Sequence, residues 1–563
     1  MAYRKETIRA FLALFLSCFS FLAHSSPLSD ISPAVQSDIE RQQKERLQQL
    51  EQNKQAVEKL QPLPALPEPV TEPDSDQSAC FQVEKVGFQG NTVFTAQDLL
   101  KVVAFKPSCI GLNSINNYLR LITNHYVDAG YVTSRAFLTP QELSSGELTI
   151  LIIEGKVEAL RFNGQPADFL LHALPGLTGK VLNLRDIEQG LEQINRLSRY
   201  NAQIKLPPGS KQGYSVVDIQ SKENSAGTAS LGFANSGQES TGETQLSANL
   251  GWGNALNMLD NWQLSASKSS ELRTSKDAQS ISLSVDIPSG YWNIGYRTSY
   301  SDYKRTIDNN TLEFESTGRT NSHDLDFKRL FYRDSESKAS LKLNVNHRKE
   351  KNYLLGNLLQ TGSRRLSSAS LSLDYSTRLA GGFLSISPRY VVGTDWFGGE
   401  EDSNKTTAMP KAQFSKATLT ASYSYPLTKT LRLSSTLFGQ WSDDTLYGSQ
   451  RLSIGGLHSV RGFKDVSVSG DQGYYWRNDV NWSLGQLPYL GRVNAQLALD
   501  SGAIVTDSRD ELERGSLLGT SLSLNTRNAH ISTSLTLGAP LHSPQRLNAD
   551  DTVVYYQINI ATH

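Results

Sequence analysis

The feature that most constrains the fold of this chain is a C-terminal region in which apolar and polar residues alternate over many successive segments. One segment alternates Ile281, Leu283, Val285 and Ile287 with Ser280, Ser282, Ser284 and Asp286. The same alternation recurs at Ala369, Leu371, Leu373 and Tyr375, and at Val554, Tyr556, Ile558 and Ile560. Successive side chains of a β strand point to opposite faces, so the pattern predicts strands with one apolar and one polar face. Residues 226–563 hold about sixteen such strands by this criterion.

Strands of this kind suit two environments. They form either a soluble sheet with one solvated face, or a closed barrel with lipid outside and a polar lumen inside. The mean hydropathy of −0.39 does not decide between them, because half of each barrel strand faces a polar interior. No stretch after residue 30 reaches the roughly 18 consecutive apolar residues of a membrane-spanning helix. The long polar connections and the aromatic residues near segment ends favour the barrel.

The first 25 residues have the pattern of a secretory signal peptide. Arg4, Lys5 and Arg9 precede an apolar segment at residues 10–23, and small residues follow it, which predicts cleavage after Ser25 or Ser26. An uncleaved anchor is the alternative, and the shortness of the apolar segment argues against it.

Two segments without a core of their own follow the signal. Residues 34–60 are rich in Glu, Gln, Lys and Arg and contain no Gly or Pro, which predicts a helix with only a sparse apolar stripe. Such a helix lies in water or fills a polar space. Residues 61–77 hold five prolines among acidic residues and predict a stiff, extended linker.

Residues 78–155 and 156–222 predict two small α/β units with the order β-α-α-β-β. In the first unit, residues 114–129 repeat apolar positions at helical spacing, and residues 147–158 alternate as one strand. In the second unit, residues 184–197 form an amphipathic helix with Ile187, Leu191 and Ile194 on one face.

Three cysteines occur, and the first, Cys18, leaves with the signal peptide. Cys80 and Cys109 form an even pair in an oxidising compartment, so we expect a disulfide between them. Two unpaired buried cysteines are the alternative. Two thiolates alone do not make a structural zinc site, which takes four ligands.

The sequence carries none of the H-E-x-x-H, G-x-S-x-G or G-x-x-x-x-G-K motifs, and no cluster of Cys and His. We therefore expect a protein that is not an enzyme and has no catalytic residue, cofactor or metal. A formal net charge of −1 provides no overall basic field for nucleic acid.

A loop near the end of the strand-rich region reads Ile-Gly-Gly-Leu-His-Ser-Val-Arg-Gly-Phe at residues 454–463. With the two small units, it resembles the outer-membrane transporters of two-partner secretion (type Vb), the family of haemolysin activators and filamentous-haemagglutinin transporters. In that family the small units are POTRA domains, and residues 122–135 resemble its first POTRA. The resemblance implies a mainly β fold: a transmembrane antiparallel barrel of about 16 strands after two α/β POTRA domains and an N-terminal helix. It also implies that the helix is a removable plug.

The resemblance implies a site inside the barrel. The family's Val-Arg-Gly loop folds into the lumen, and its arginine contacts an aspartate on a neighbouring strand. Here the loop is residues 453–471, with the motif Val460, Arg461, Gly462 and Phe463. The alternation in residues 493–501 places Asp500 on the lumen face, so Arg461 and Asp500 match the two roles. Composition alone favours a solvated arginine and an aspartate near a turn. The family usually has Gly or Phe two residues before the aspartate, where this chain has Ala498, and the C-terminus lacks the usual terminal aromatic residue.

The function implied by the resemblance is translocation, and activation by secretion, of a large exoprotein such as a haemolysin, an adhesin or a contact-dependent inhibition toxin. The exoprotein's N-terminal secretion domain would bind the POTRA domains in the periplasm. The other expected partners are outer-membrane lipid and periplasmic chaperones, with no nucleic acid. The alternative is a factor that assembles or inserts other outer-membrane barrels. A general porin fits less well, because it would need neither the small units nor the loop.

Overall fold

The computed structural model describes residues 32–58, 80–271, 275–308, 313–406, 408–505 and 514–562. The signal peptide expected at residues 1–25 and the linker expected at residues 61–77 lie outside the described residues. Within those ranges, no helix has the length and apolar character needed to cross a bilayer.

The C-terminal region forms a closed antiparallel barrel, which confirms the prediction from the alternating segments. In the described part of the chain, sixteen long strands surround the lumen, and the last of them pairs with the first to close the circle. The wall is β9 (Gly227–Ala234), β10 (Gln245–Gly253), β11 (Asn261–Ser269), β12 (Asp277–Ser289), β13 (Trp292–Asp308), β14 (Glu313–Arg333), β15 (Ser337–Leu354), β17 (Arg364–Leu379), β18 (Gly382–Thr394), β19 (Ser415–Pro426), β20 (Leu431–Trp441), β23 (Gly473–Leu487), β24 (Gly491–Ile504), β25 (Gly515–Arg527), β26 (Ile531–His542) and β27 (Val553–Thr562). A two-residue strand, β16 (Asn357–Leu358), extends the connection after β15.

The apolar residues of the alternating pattern lie on the outside of the barrel. On β12, Ile281 and Leu283 are exposed, and on β13 so are Ile294 and Tyr296. A soluble protein would bury such a band, whereas a barrel in lipid presents it to acyl chains. This side-chain distribution is the one that distinguishes the membrane barrel from a half-solvated soluble sheet.

In the first small unit, two helices pack on a three-stranded sheet. Its elements are β1 (Phe81–Val83), β2 (Lys85–Gln89), α2 (Ala96–Val103), β3 (Ser108–Ile110), α3 (Leu112–Asp128), β4 (Arg135–Leu138) and β5 (Glu147–Ile153). The sheet order is β2-β5-β4, and β1 pairs separately with β3. The predicted single strand at residues 147–158 is wrong, since the chain breaks at Glu154 and Gly155. Glu154, which is buried like Ile150 and Ile152, accepts hydrogen bonds there from the backbone N–H groups of Thr92 (2.7 Å) and Val93 (2.8 Å). These bonds join the end of β5 to the segment that follows β2.

The second unit repeats this plan and contacts the barrel. It contains β6 (Lys156–Phe162), α4 (Leu170–Ala173), α5 (Leu184–Asn195), β7 (Tyr200–Lys205) and β8 (Tyr214–Glu223), with the sheet order β6-β8-β7. Ile187 and Ile194 of α5 are fully buried in its core, as their spacing predicts. The opposite face of α5 lies against the barrel turn at Gly290, whose carbonyl accepts from Gln189 and Gln193. The second unit therefore lies against the end of the barrel that carries this turn.

The N-terminal helix, α1, extends over Pro33–Glu58. The sequence predicted residues 34–60, of which the last two lie outside the described residues. The helix starts one residue earlier because proline is well tolerated at the first helical position, where its missing N–H has no intrahelical acceptor.

Candidate functional site

The loop at residues 453–471 turns back into the barrel as a small hairpin. Its short strands β21 (Leu452–Ile454) and β22 (Val468–Gly470) pair antiparallel. Val460 and Phe463 are fully buried in an apolar cluster with wall residues that include Tyr475 and Leu517. Two residues of the loop motif are thus apolar anchors, and the hairpin is a packed part of the lumen.

Arg461 forms the charged contact of the hairpin. Its Nε donates to Asp500 Oδ2 (2.5 Å) and its Nη2 donates to Asp500 Oδ1 (2.7 Å), which is a bidentate arrangement. The Arg461 backbone N–H also donates to Asp500 Oδ2 (3.1 Å). Arg461 is 2% exposed and Asp500 is 0% exposed. The structure therefore brings together the two residues that the resemblance and the strand alternation select, and it excludes a solvated arginine.

A second carboxylate, Asp479 of β23, lies 2.6 Å from Arg461 Nη2 as an ion pair. Sequence reasoning missed this residue. The signal was available, since Arg477, Asp479 and Asn481 alternate with Trp476, Val480 and Trp482 and so face the lumen. The alternation does not show the pairing register of β23 with β24. That register sets Asp479 opposite Ala498, which lies two residues before Asp500 on β24. One guanidinium therefore joins the hairpin to two neighbouring wall strands.

Glycines let the hairpin backbone approach the wall. Gly462 has φ +101°, and a Cβ there would lie 2.4 Å from the carbonyl oxygen of Ala539. On the wall, a Cβ at Gly519 would lie 1.9 Å from the carbonyl oxygen of Arg461. A side chain at either position would push the hairpin away from the strands that hold Arg461.

Helix α1 lies inside the barrel and contacts the wall through polar side chains. Asp38 forms an ion pair with Arg348 of β15, and Glu45 forms one with Arg297 of β13. Near the C-terminal end of the helix, Glu58 pairs with Arg432 of β20 (3.1 Å). These partners come from strands around the lumen, so the polar composition of the helix is explained by a polar cavity.

Helix α1 also touches the hairpin and the wall strand beside it. Gln43 Nε2 donates to the carbonyl oxygen of Ser453 (2.8 Å), and Arg46 Nη1 donates to the Tyr475 hydroxyl (2.8 Å). The Arg46 guanidinium stacks 3.5 Å from the ring centroid of Phe438. Helix and hairpin therefore fill the lumen together and share contacts with Tyr475 and its neighbours.

The remaining predicted pair lies far from the lumen, in the first small unit. Cys80 and Cys109 form a disulfide with a Cα–Cα distance of 5.4 Å. Cys80 immediately precedes β1 and Cys109 is the central residue of β3, so the bridge links these two paired strands.

Comparisons with known proteins agree with this architecture. The family described as "Haemolysin secretion/activation protein ShlB/FhaC/HecB" matches residues 213–526. The "POTRA domain, ShlB-type" matches residues 81–155, and a second POTRA domain matches residues 156–208.

Relatives cover nearly the whole chain. The outer membrane transporter CdiB of Escherichia coli is 39% identical over 97% of this chain and 93% of its own length. The hemolysin transporter protein ShlB of Serratia marcescens is 28% identical over 84% of this chain and 82% of its own length. The solved structure of CdiB from Escherichia coli covers 95% of this chain and 100% of its own, with 38% identity and a TM-score of 0.91. CdiB from Acinetobacter baumannii shares the fold, with 22% identity and a TM-score of 0.77 over 95% of this chain.

The family consists of transporters, and its POTRA domains are periplasmic. The chain belongs to the haemolysin secretion/activation family, as an outer-membrane transporter of a partner exoprotein with two POTRA domains and a sixteen-stranded barrel.

Proposed function

We propose that the exoprotein enters by binding of its N-terminal secretion domain to the POTRA domains and then crosses the lumen as an extended chain. The observation that carries the proposal is the double occupation of the lumen by α1 and the hairpin. Helix α1 is attached through polar side chains and carries few buried apolar residues, so it is suited to leave the lumen during transport. The hairpin is held by buried apolar residues and by Arg461, so it is suited to stay in the lumen.

The sheet edges of the first POTRA suit capture of an extended chain. Strand β4 is an outer strand of the sheet β2-β5-β4, and Phe137 (44% exposed) and Leu138 (38% exposed) lie on it. An incoming strand gains main-chain hydrogen bonds by extending such an edge, and exposed apolar side chains add contact area. We therefore assign β4 as the edge that receives the secretion domain.

The Arg461 contact keeps the hairpin folded against the wall while α1 leaves. Three hydrogen bonds to Asp500 and an ion pair to Asp479 hold the tip of the hairpin independently of α1. The remaining lumen would then form a route of constant shape for the polypeptide.

For the cargo, we propose a contact-dependent inhibition toxin rather than a haemolysin. Relatives named CdiB from Escherichia coli and Dickeya dadantii share 39% and 36% identity with this chain, whereas the hemolysin transporters share 28%. The support for this cargo comes from these relatives alone, because CdiB-2 of Burkholderia pseudomallei is only 25% identical.

The test is deletion of the gene followed by analysis of secreted and outer-membrane proteins. Loss of one large exoprotein, encoded in a neighbouring reading frame, with unchanged outer-membrane barrels is the expected result. Loss of many barrels would instead identify an assembly factor. Replacing Phe137 and Leu138 by Lys should reduce secretion of that exoprotein without changing the amount of transporter in the membrane, whereas Phe81→Lys, on an exposed aromatic outside this edge, should leave secretion unchanged.

A further inference from the structure

The outer surface of the barrel carries a group of exposed cations that the transport mechanism does not use. Arg319 lies on β14, Lys349 and Lys351 lie on β15, and Arg365 lies on β17. All four side chains are exposed. We call these four residues the cationic patch. The inward-facing neighbours Arg348 and Glu350 are buried, so the alternation places the patch on the outer face.

Strand register places like charges directly opposite one another in this patch. Arg319 pairs with Lys351 across β14 and β15, and Lys349 pairs with Arg365 across β15 and β17. Like charges at directly opposed positions destabilise a sheet. An anion near these two pairs would therefore stabilise the sheet.

The carboxylates beside the patch, Asp302 and Glu400, make their hydrogen bonds to groups other than the patch side chains. Within the described ranges, none of its four side chains forms an ion pair with a carboxylate. Asp302, opposite Arg319 on β13, accepts instead from Gln279 (3.0 Å). Glu400 accepts from the backbone N–H of Arg365 (3.0 Å) rather than from its guanidinium.

Other cations on the same outer face do have carboxylate partners. Lys268 lies 2.7 Å from Asp277, and Lys304 lies 2.7 Å from Glu315. The lack of such partners is therefore a property of the patch and not of every cation at this end of the barrel. Lys268 and Lys304 provide matched controls.

The patch lies directly beyond the apolar band, at the end of the barrel opposite the POTRA domains. On β15 the outward residues Leu341, Leu343 and Val345 are followed by His347, Lys349 and Lys351. Outward positions recur about every 7 Å along a strand. With a strand tilt of ~35–45°, the lysines lie roughly 10–15 Å above the last apolar row, at the level of lipid headgroups.

We propose that the cationic patch binds phosphorylated headgroups of lipids in the outer leaflet of the outer membrane. Guanidinium and ammonium groups form charge-assisted hydrogen bonds with phosphate oxygens. A phosphate placed between Lys349 and Arg365, or between Arg319 and Lys351, would offset the repulsion within each cross-strand pair. The patch would then fix the depth and rotation of the barrel in the leaflet through β14, β15 and β17.

The test uses the full-length protein in non-ionic detergent with added bis-phosphorylated lipid A, and native mass spectrometry to count bound lipid. Lys349→Gln/Arg365→Gln and Arg319→Gln/Lys351→Gln should each lower the apparent affinity more than tenfold, at about fivefold per cation near an anionic surface. Lys268→Gln/Lys304→Gln should leave it within about twofold, because a paired cation has little charge left to offer. Dephosphorylated lipid A should bind all four proteins equally.

Thermal unfolding in the same detergent separates binding from folding defects. Without lipid A, both patch variants should be at least as heat-resistant as the parent, because like-charge pairs have been removed. With lipid A, the parent should gain heat resistance and the patch variants should not. Equal lipid A affinity in parent and patch variants would overturn the proposal, as would equal stabilisation of the parent by inorganic phosphate.

Discussion

At the residue scale, Arg461 is the group on which the lumen hairpin depends most. It is a buried cation with two carboxylates, Asp500 and Asp479, on adjacent wall strands. Removing one member of a buried ion pair leaves the other charge uncompensated, which costs about 3–5 kcal/mol. The hydrogen-bond geometry divides the roles, since Asp500 makes the bidentate contact and Asp479 contributes a single ion pair.

We predict that Arg461→Ala and Asp500→Ala each impair secretion while the barrel still inserts, and that the double mutant is little worse than either single one. Residues that act through one contact show such non-additive losses. Secretion assays and the amount of transporter in the outer membrane provide the two measurements. Asp479→Asn should be milder than Asp500→Ala. Simple addition of the two losses would show that Arg461 and Asp500 act separately.

We expect Glu154 to make the stability of the first POTRA depend on pH. Burial tends to raise the pKa of this carboxyl, but hydrogen bonds from the Thr92 hydroxyl, the backbone N–H groups of Val93 and Thr92 and the Tyr126 hydroxyl hold it below its usual range. A lowered folded-state pKa stabilises the fold above the unfolded pKa of about 4.3. That stabilisation disappears as the pH falls through the folded-state value.

We predict that Glu154→Gln destabilises the first POTRA by about 1–3 kcal/mol at neutral pH, because hydrogen bonds to a charged acceptor are lost. The variant should lose less stability than the parent between pH 7 and pH 3. Hydrogen exchange of residues 80–155 in the full-length protein, corrected for intrinsic exchange rates, measures both effects. Glu142→Gln, at an exposed position, should behave like the parent, and an equal acid response in Glu154→Gln would contradict the assignment.

At the element scale, we propose that α1 blocks the pore reversibly, on the grounds of its polar surface and its position in the lumen. A helix with its side chains is about 10–12 Å across, so its removal opens a large part of the lumen. Its ion pairs to Arg348, Arg297 and Arg432 are among the contacts that must break when it leaves, together with its hydrogen bonds to Ser453 and Tyr475.

We predict that deletion of residues 33–58 raises single-channel conductance in planar bilayers and leaves secretion largely intact. Asp38→Ala/Glu45→Ala should raise the frequency of open events without changing the largest conductance, because it weakens attachment and keeps the helix. Gln48→Ala/Gln49→Ala, at exposed positions of the same helix, is the control. Unchanged conductance after the deletion would mean that the hairpin alone closes the pore.

The disulfide constrains the first POTRA as an element. Cys80 and Cys109 are 29 positions apart in sequence, and closing a loop of this size stabilises the fold by roughly 3 kcal/mol in the chain-entropy model. We predict that Cys80→Ala/Cys109→Ala lowers the stability of residues 80–155 by about that amount. Non-reducing mass spectrometry of the mature protein should show one intramolecular bridge, and two free thiols would contradict it.

At the scale of the whole molecule, the second POTRA and the barrel are joined by an electrostatic interface. Glu192 of α5 forms ion pairs with Arg333 (2.6 Å) and with Lys338, which flank the periplasmic turn between β14 and β15. Arg196 pairs with Asp286 of β12. The orientation of the POTRA domains therefore depends on the charges of the barrel rim.

We predict that Glu192→Gln loosens this interface by roughly 1–2 kcal/mol, less than for a fully buried pair because Glu192 is 41% exposed. Spin labels at Lys222→Cys and Lys429→Cys should then show a broader distance distribution, and the parent should broaden in the same way as salt rises. Glu223→Gln removes a surface pair to Arg199 within the domain and should leave the distribution unchanged.

Much of this architecture follows from local sequence pattern. Alternation at Ile281–Ile287 and its repeats predicts strands and their lipid-facing sides, and parity alone places Asp500 in the lumen. Helical spacing identifies Ile187 and Ile194 as core residues. These predictions succeed because a strand has a side-chain period of two residues and a helix one of 3.6 residues, whatever the rest of the chain does.

Contacts between distant segments were decided only by the tertiary structure. Asp38 meets Arg348 across 310 positions, and no local pattern selects that partner from the other lumen arginines. Asp479 joins Arg461 because of the pairing register between β23 and β24. Lys349 faces Arg365 because β15 and β17 pair across a connection that includes β16. Barrel closure and strand register depend on the whole chain at once, so the sequence alone determined which face each side chain occupies, and only the folded barrel determined which side chain lies beside it.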